Sequence, residues 1–119
     1  MKSCLLVIIF SLSFGKIDFT THDINISANG IISLHSAEIN GDGNIDLIYS
    51  SIENNSITWL ENKGNGNFES HIISSKINGS ISIFPSDLNR DGKVDIVSAS
   101  MYDNQINWYK NIGNGEFSK

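Results

Sequence analysis

Two acidic loops carry closely spaced oxygen donors in a shared pattern. Asp87-Leu88-Asn89-Arg90-Asp91-Gly92-Lys93-Val94-Asp95 places side-chain oxygens at positions 1, 3, 5 and 9 and a glycine at position 6. Glu38-Ile39-Asn40-Gly41-Asp42-Gly43-Asn44-Ile45-Asp46 repeats the pattern. Alternate positions on a tight loop point inward to a common centre. The glycine permits the sharp turn, and the backbone carbonyl at position 7, Lys93 or Asn44, can add a further ligand. Hard oxygen donors on a flexible loop favour Ca²⁺ over Mg²⁺ or Zn²⁺. The loops are not EF-hands, because position 12 is Ser98 or Tyr49 rather than Glu and strands flank them instead of helices. The competing reading is an Asx-rich turn that binds nothing. Glu38 is one methylene longer than Asp87, which predicts weaker affinity in the first loop.

Little else in the chain has the makings of catalysis. His22 and His71 are copies of each other without a carboxylate or thiol at catalytic spacing, and His35 faces Phe84 in the repeat. The loops use the carboxylates that a glycosidase pair would need. Gly64-Asn65-Gly66 lies between strands and lacks the Lys-Ser/Thr of a phosphate loop. Scattered serines and histidines make no triad. The expectation is a non-enzyme. Trp59 and Trp108 recur at one register beside Ile57 and Ile106, which predicts packing between repeat units rather than sugar stacking.

The elements that position the loops are written twice. From Phe19 onward residue i matches residue i+49 without a gap, and 20 of the 52 pairs are identical. Among them are Phe19/Phe68, His22/His71, Trp59/Trp108, Asn62/Asn111 and Gly64-Asn65-Gly66/Gly113-Asn114-Gly115. A period near 50 built of short strands points to propeller blades or a related array. Each unit reads as four strands: Ile31 to Ala37, Ile45 to Ser51, Ile57 to Glu61 and Phe68 to Ser74. The second unit repeats the first three at Ser80 to Ser86, Val94 to Ser100 and Ile106 to Lys110. Phe19 to Ile26 is an extra copy of the fourth strand, and the last unit is expected to lack its own. Two explanations stand: a chain that continues into further blades, which is favoured, or an edge strand exchanged between chains in a homo-oligomeric ring.

Composition agrees with an all-β chain. Twenty Ile, 18 Ser, 15 Asn and 10 Gly stand against three Ala and seven Leu, so strand and turn formers dominate. The formal charge of −5 argues against nucleic acid as a partner. Met1-Lys2, the apolar run to Phe14, and Ser13 and Gly15 at −3 and −1 read as a signal peptide over residues 1–15. The run is too short to span a membrane. Cleavage leaves a secreted chain without cysteine, for which metal ions are the natural staple.

The acidic loop with its following apolar strand resembles FG-GAP/VCBS repeats. So do Ile106-Asn107-Trp108-Tyr109-Lys110-Asn111 and Gly113-Asn114-Gly115-Glu116-Phe117. The resemblance runs from Phe19 to Lys119. It implies integrin-alpha-type β-propeller blades, here two four-stranded antiparallel blades (30–75 and 79–119, after the strand copy at 19–27) of an incomplete propeller. It also implies calcium held by Asp87, Asn89, Asp91, Asp95 and the carbonyl of Lys93. In the first copy the ligands are Asn40, Asp42, Asp46 and the carbonyl of Asn44, with Glu38 in place of the usual Asp. Such propellers are typically extracellular, bind carbohydrate or protein partners in adhesion, or accompany a catalytic domain of a larger secreted enzyme. The blade motif itself fixes none of these roles.

Overall fold

A computed structural model describes residues 17–119, and the leader reading of residues 1–15 lies outside them. The described residues form eight strands and no helix. The first sheet comprises β1 (Ile31–Ala37), β2 (Asp46–Ser51), β3 (Ser56–Gly64) and β4 (Asn67–Ser74). The second comprises β5 (Ser80–Ser86), β6 (Asp95–Ser100), β7 (Gln105–Gly113) and β8 (Glu116–Ser118). Each is an antiparallel meander in sequence order.

Two irregularities of the first sheet recur in the second. The bulge at Ile31/Ser33 recurs at Ser80/Ser82, and the one at Asn62/Gly64 recurs at Asn111/Gly113. The latter carries β3 and β7 into their hairpins, so both run beyond the expected Glu61 and Lys110. The turns use the residues that tolerate positive φ: Asn65 and Asn114 lie at 54° and 53°, between glycines.

The core lies between the sheets rather than within either. Ile39, Ile48, Ile57 and Trp59 of the first unit meet Ile83, Ile96 and Tyr109 of the second, with Ile77 of the connecting segment among them. Ile48 sits opposite Trp59 and Ile96 opposite Tyr109, so each sheet presents one strip of side chains to the other. Burying one such side chain contributes about 1.5–3 kcal/mol.

Three expectations change. Residues 19–26 form no strand and Phe19 is almost wholly exposed: they pair with no described strand, although Asp23, Ile24 and Asn25 lie beside Asn67 and Phe68 at the β4 edge. The second unit does begin its fourth strand: Lys110 pairs with Ser118 and Asn111 with Phe117. Trp59 packs between the sheets as expected, but Trp108 does not, because no described residue covers that face of the second sheet.

Candidate functional site

Each acidic loop folds around its own side chains. In the second, Asp87 accepts hydrogen bonds from the backbone N–H groups of Asp91 (3.1 Å) and Gly92 (2.9 Å). Asn89 Oδ1 accepts from the same Asp91 N–H (3.0 Å), and its amide donates to Asp91 Oδ2 (2.9 Å). Asp91 Oδ1 accepts the N–H of Lys93 (3.0 Å). Positions 1, 3 and 5 are thereby drawn to one side of the turn. Gly92 at φ 84° and Arg90 at φ 60° make the bend.

The first loop matches with one difference. Asn40 and Asp42 repeat the bonds of Asn89 and Asp91, and Asp42 Oδ1 accepts the N–H of Asn44 (2.8 Å). Glu38, however, accepts from Gly41 (2.6 Å) at position 4, whereas Asp87 accepts from Asp91 and Gly92 at positions 5 and 6. The extra methylene thus changes which amide the first side chain holds.

Asp46 and Asp95 are fully buried, and both oxygens of each are used. Asp95 accepts the N–H of Asn111 (2.8 Å) and of Leu88 (3.3 Å). Asp46 accepts the N–H of Asn62 (2.8 Å) and of Ile39 (3.2 Å). These carboxylates tie the start of each loop to the third strand of its sheet, and the bonds compensate their burial. A carboxylate oxygen keeps a second lone pair after one such bond, so a cation remains compatible with this role.

The electrostatics of the loops favours ionised carboxylates. The Asn89 amide, and then the Lys93 N–H, hold Asp91 below the usual carboxylate range. The Asn44 N–H, followed by the Asn40 amide, does the same for Asp42. These donor sets are all oxygen, on loops with room at Gly43 and Gly92, and suit a hard cation. The loops lie side by side, flanking a recess of about 230 Å³ between Glu38, Asn40 and Gly41 and Gly92, Lys93 and Gly113.

Two groups beside the loops were not legible as functional from sequence. Asn111 is fully buried and donates to Val94 O (3.1 Å) in its own loop and to Ile39 O (2.9 Å) in the other sheet. Its identity with Asn62 was visible, but the bridging role was not. Glu61 accepts from the Asn40 amide (2.9 Å), which ties the first loop to β3. The ligand atoms of Glu61, Glu69 and His71 lie within 4.8 Å of one another. Lys63 Nζ sits 2.7 Å from Glu61 and 3.3 Å from Glu69, so an ammonium already offsets part of that group's charge. Lys63, and then His71 at 2.9 Å, hold the Glu61 carboxyl below its ordinary range. His71 also stacks on Trp59, with ring centroids 4.5 Å apart, while His35 packs edge-on against its own copy, Phe84.

The FG-GAP-like repeat family matches this chain twice, over residues 38–98 and 87–119. Both matches open at position 1 of an acidic loop. No curated protein and no solved structure matches it significantly. Two four-stranded antiparallel sheets, each with the acidic loop after its first strand, accord with those matches, and the chain belongs to the FG-GAP-like repeat family.

Proposed function

We propose that this chain is a secreted, calcium-binding pair of β-propeller blades with a non-catalytic binding, adhesion or scaffolding role. The observation that carries the reading is the twofold convergence of loop oxygens around equivalent glycines, Gly43 at φ 85° and Gly92 at φ 84°. Asp87, Asn89, Asp91 and Asp95 with the Lys93 carbonyl would hold one ion. Glu38, Asn40, Asp42 and Asp46 with the Asn44 carbonyl would hold the other. Calcium would neutralise carboxylates that now accept amide hydrogens, with the Lys93 ammonium 3.9 Å from Asp91, and would stiffen the corner between the first two strands of each blade. The blades would then present their loops to a carbohydrate or an extracellular protein, with further blades completing the propeller.

The test is calorimetric calcium titration of the chain and of Asp91→Ala and Asp42→Ala. Two saturable sites in the parent and one in each variant are expected. No saturable binding in the parent, or unchanged binding in both variants, contradicts the reading.

A further inference from the structure

The two acidic loops are alike in their donors and opposite in what stands behind them. Behind the first is Glu61 of β3, whose side chain is only 12% exposed. Its Oε1 accepts the amide of Asn40 (2.9 Å), the residue at position 3 of that loop. The counterpart of Glu61 in the second unit is Lys110, which is exposed and whose side chain has no oxygen to offer. Asn89 therefore has no strand partner of this kind. Among the described residues its amide donates to Asp91 alone (2.9 Å).

A carboxylate accepts hydrogen bonds and cannot donate them, so Glu61 fixes which way the Asn40 amide points. Nδ2 faces the strand, and Oδ1 is left in the loop, where it accepts the Asp42 N–H (3.2 Å). Glu61 is itself held at both oxygens. Lys63 Nζ lies 2.7 Å from Oε1, His71 Nε2 lies 2.9 Å from Oε2, and His71 stacks on the buried Trp59 ring. These neighbours are not repeated either: Lys63 is matched by Ile112, and Glu69, which faces Glu61 across the strands, by Ser118. In the second unit Asp91 is held low by the Asn89 amide and the Lys93 N–H first, and Lys110 adds to this only through its charge.

The same oxygen donors are thus supported unequally. A cation that draws on the carboxylate at position 5 competes with the asparagine amide which that carboxylate holds. Asn89 then loses its partner, whereas Asn40 keeps Glu61. We infer that Glu61 is a positioning residue of the first cation loop: by holding Nδ2 of Asn40 it keeps Oδ1 available to the cation and raises that loop's affinity, an aid the second loop lacks because Lys110 stands there. This acts against the handicap of Glu38 at position 1. The inference rests on the calcium reading of the loops. Removing a partner that orients a metal ligand typically lowers affinity by about 10–100-fold.

The experiment is calcium calorimetry on the full chain with each loop read alone, the first in an Asp91→Ala background and the second in an Asp42→Ala background. Glu61→Ala is expected to weaken the first site by about tenfold or more and to leave the second unchanged. Glu61→Gln, which keeps an acceptor oxygen, is expected to recover part of that loss. Lys110→Glu is expected to strengthen the second site severalfold. This exposed position carries the test if Glu61→Ala does not fold, and no gain there counts against the inference. Without calcium, the Asn40 side-chain amide resonances report the positioning itself. They are expected to move to the values of an exposed asparagine in Glu61→Ala, with circular dichroism confirming the fold. If the parent binds calcium and Glu61→Ala binds it equally well at the first site, the inference is overturned and the calcium reading stands. Equal losses at both sites overturn it too, since they mark a general loosening of the sheets, and so do Asn40 resonances that stay in place. If neither loop of the parent binds calcium, the calcium reading itself fails and the affinity claim falls with it.

Discussion

Trp59 and Trp108 occupy the same register of two copied sheets, 49 residues apart, yet Trp59 is 3% exposed and Trp108 is 45%. The difference comes from what lies beyond each indole. Trp59 is covered by the β7–β8 hairpin at Gly115, and no described residue plays that part for Trp108. Truncating the two residues therefore has unequal consequences. Trp59→Ala should cost about 3–5 kcal/mol, and Trp108→Ala less than about 1 kcal/mol. Urea denaturation of the two variants, at a concentration where the chain is monomeric, checks this. Equal losses would contradict the one-sided interface.

The same asymmetry governs the paired asparagines. Asn111→Ala strands Ile39 O, Val94 O and the Gly113 N–H, at about 1–3 kcal/mol for each group left buried and unpaired. Asn62 bonds Ile45 O and Gly64 N–H at a more exposed site, so Asn62→Ala should cost no more than about 1.5 kcal/mol. Denaturant midpoints read the difference, and hydrogen exchange at Gly113 reads the local loosening.

Sequence made the strands legible wherever turn chemistry bounded them. Asn-Gly before β1 and β5 and the acidic loop after them fixed both ends, Ile31–Ala37 and Ser80–Ser86. It underestimated β3 and β7, because a glycine read as a turn also serves as a bulge through which pairing continues. The alternation of oxygen-bearing side chains in each loop is plain in the sequence. The bond partners of Glu38 and Asp87 were not, since they depend on side-chain reach across a turn. Two identical residues also carry no mark of which copy is covered, so the separate fates of Trp59 and Trp108, and of Asn62 and Asn111, belong to the packing.

Glu38 offers a gain-of-affinity test. Glu38→Asp restores the side chain of the second copy and should let it reach the amides that Asp87 holds. Calcium affinity at the first loop should rise by roughly threefold to tenfold, about 0.7–1.4 kcal/mol. Calorimetry in an Asp91→Ala background isolates that site, and a fall in affinity would count against the assignment of Glu38.

Acid should weaken the first sheet through Glu61. Its carboxyl is held low, first by Lys63 and then by His71. A lowered folded value means that the contribution is complete above the unfolded glutamate value and is lost as pH falls through the folded one. In chelator, the melting temperature of the parent should therefore exceed that of Glu61→Gln most at pH 7. The gap should close below about pH 4, past the ordinary glutamate range. A gap that widens on acidification would reverse the sign and refute the account.

The most direct measurement of the central claim is a calcium titration followed by amide resonances in a ¹⁵N-labelled chain, with magnesium as the control. The account predicts saturating shifts centred on Asp91, Gly92 and Lys93 and on Asp42, Gly43 and Asn44. These amides lie in the turns where the loop carboxylates accept their present hydrogen bonds. Saturable shifts confined to Glu61, Glu69 and His71, or no saturable shift at either loop, would contradict it.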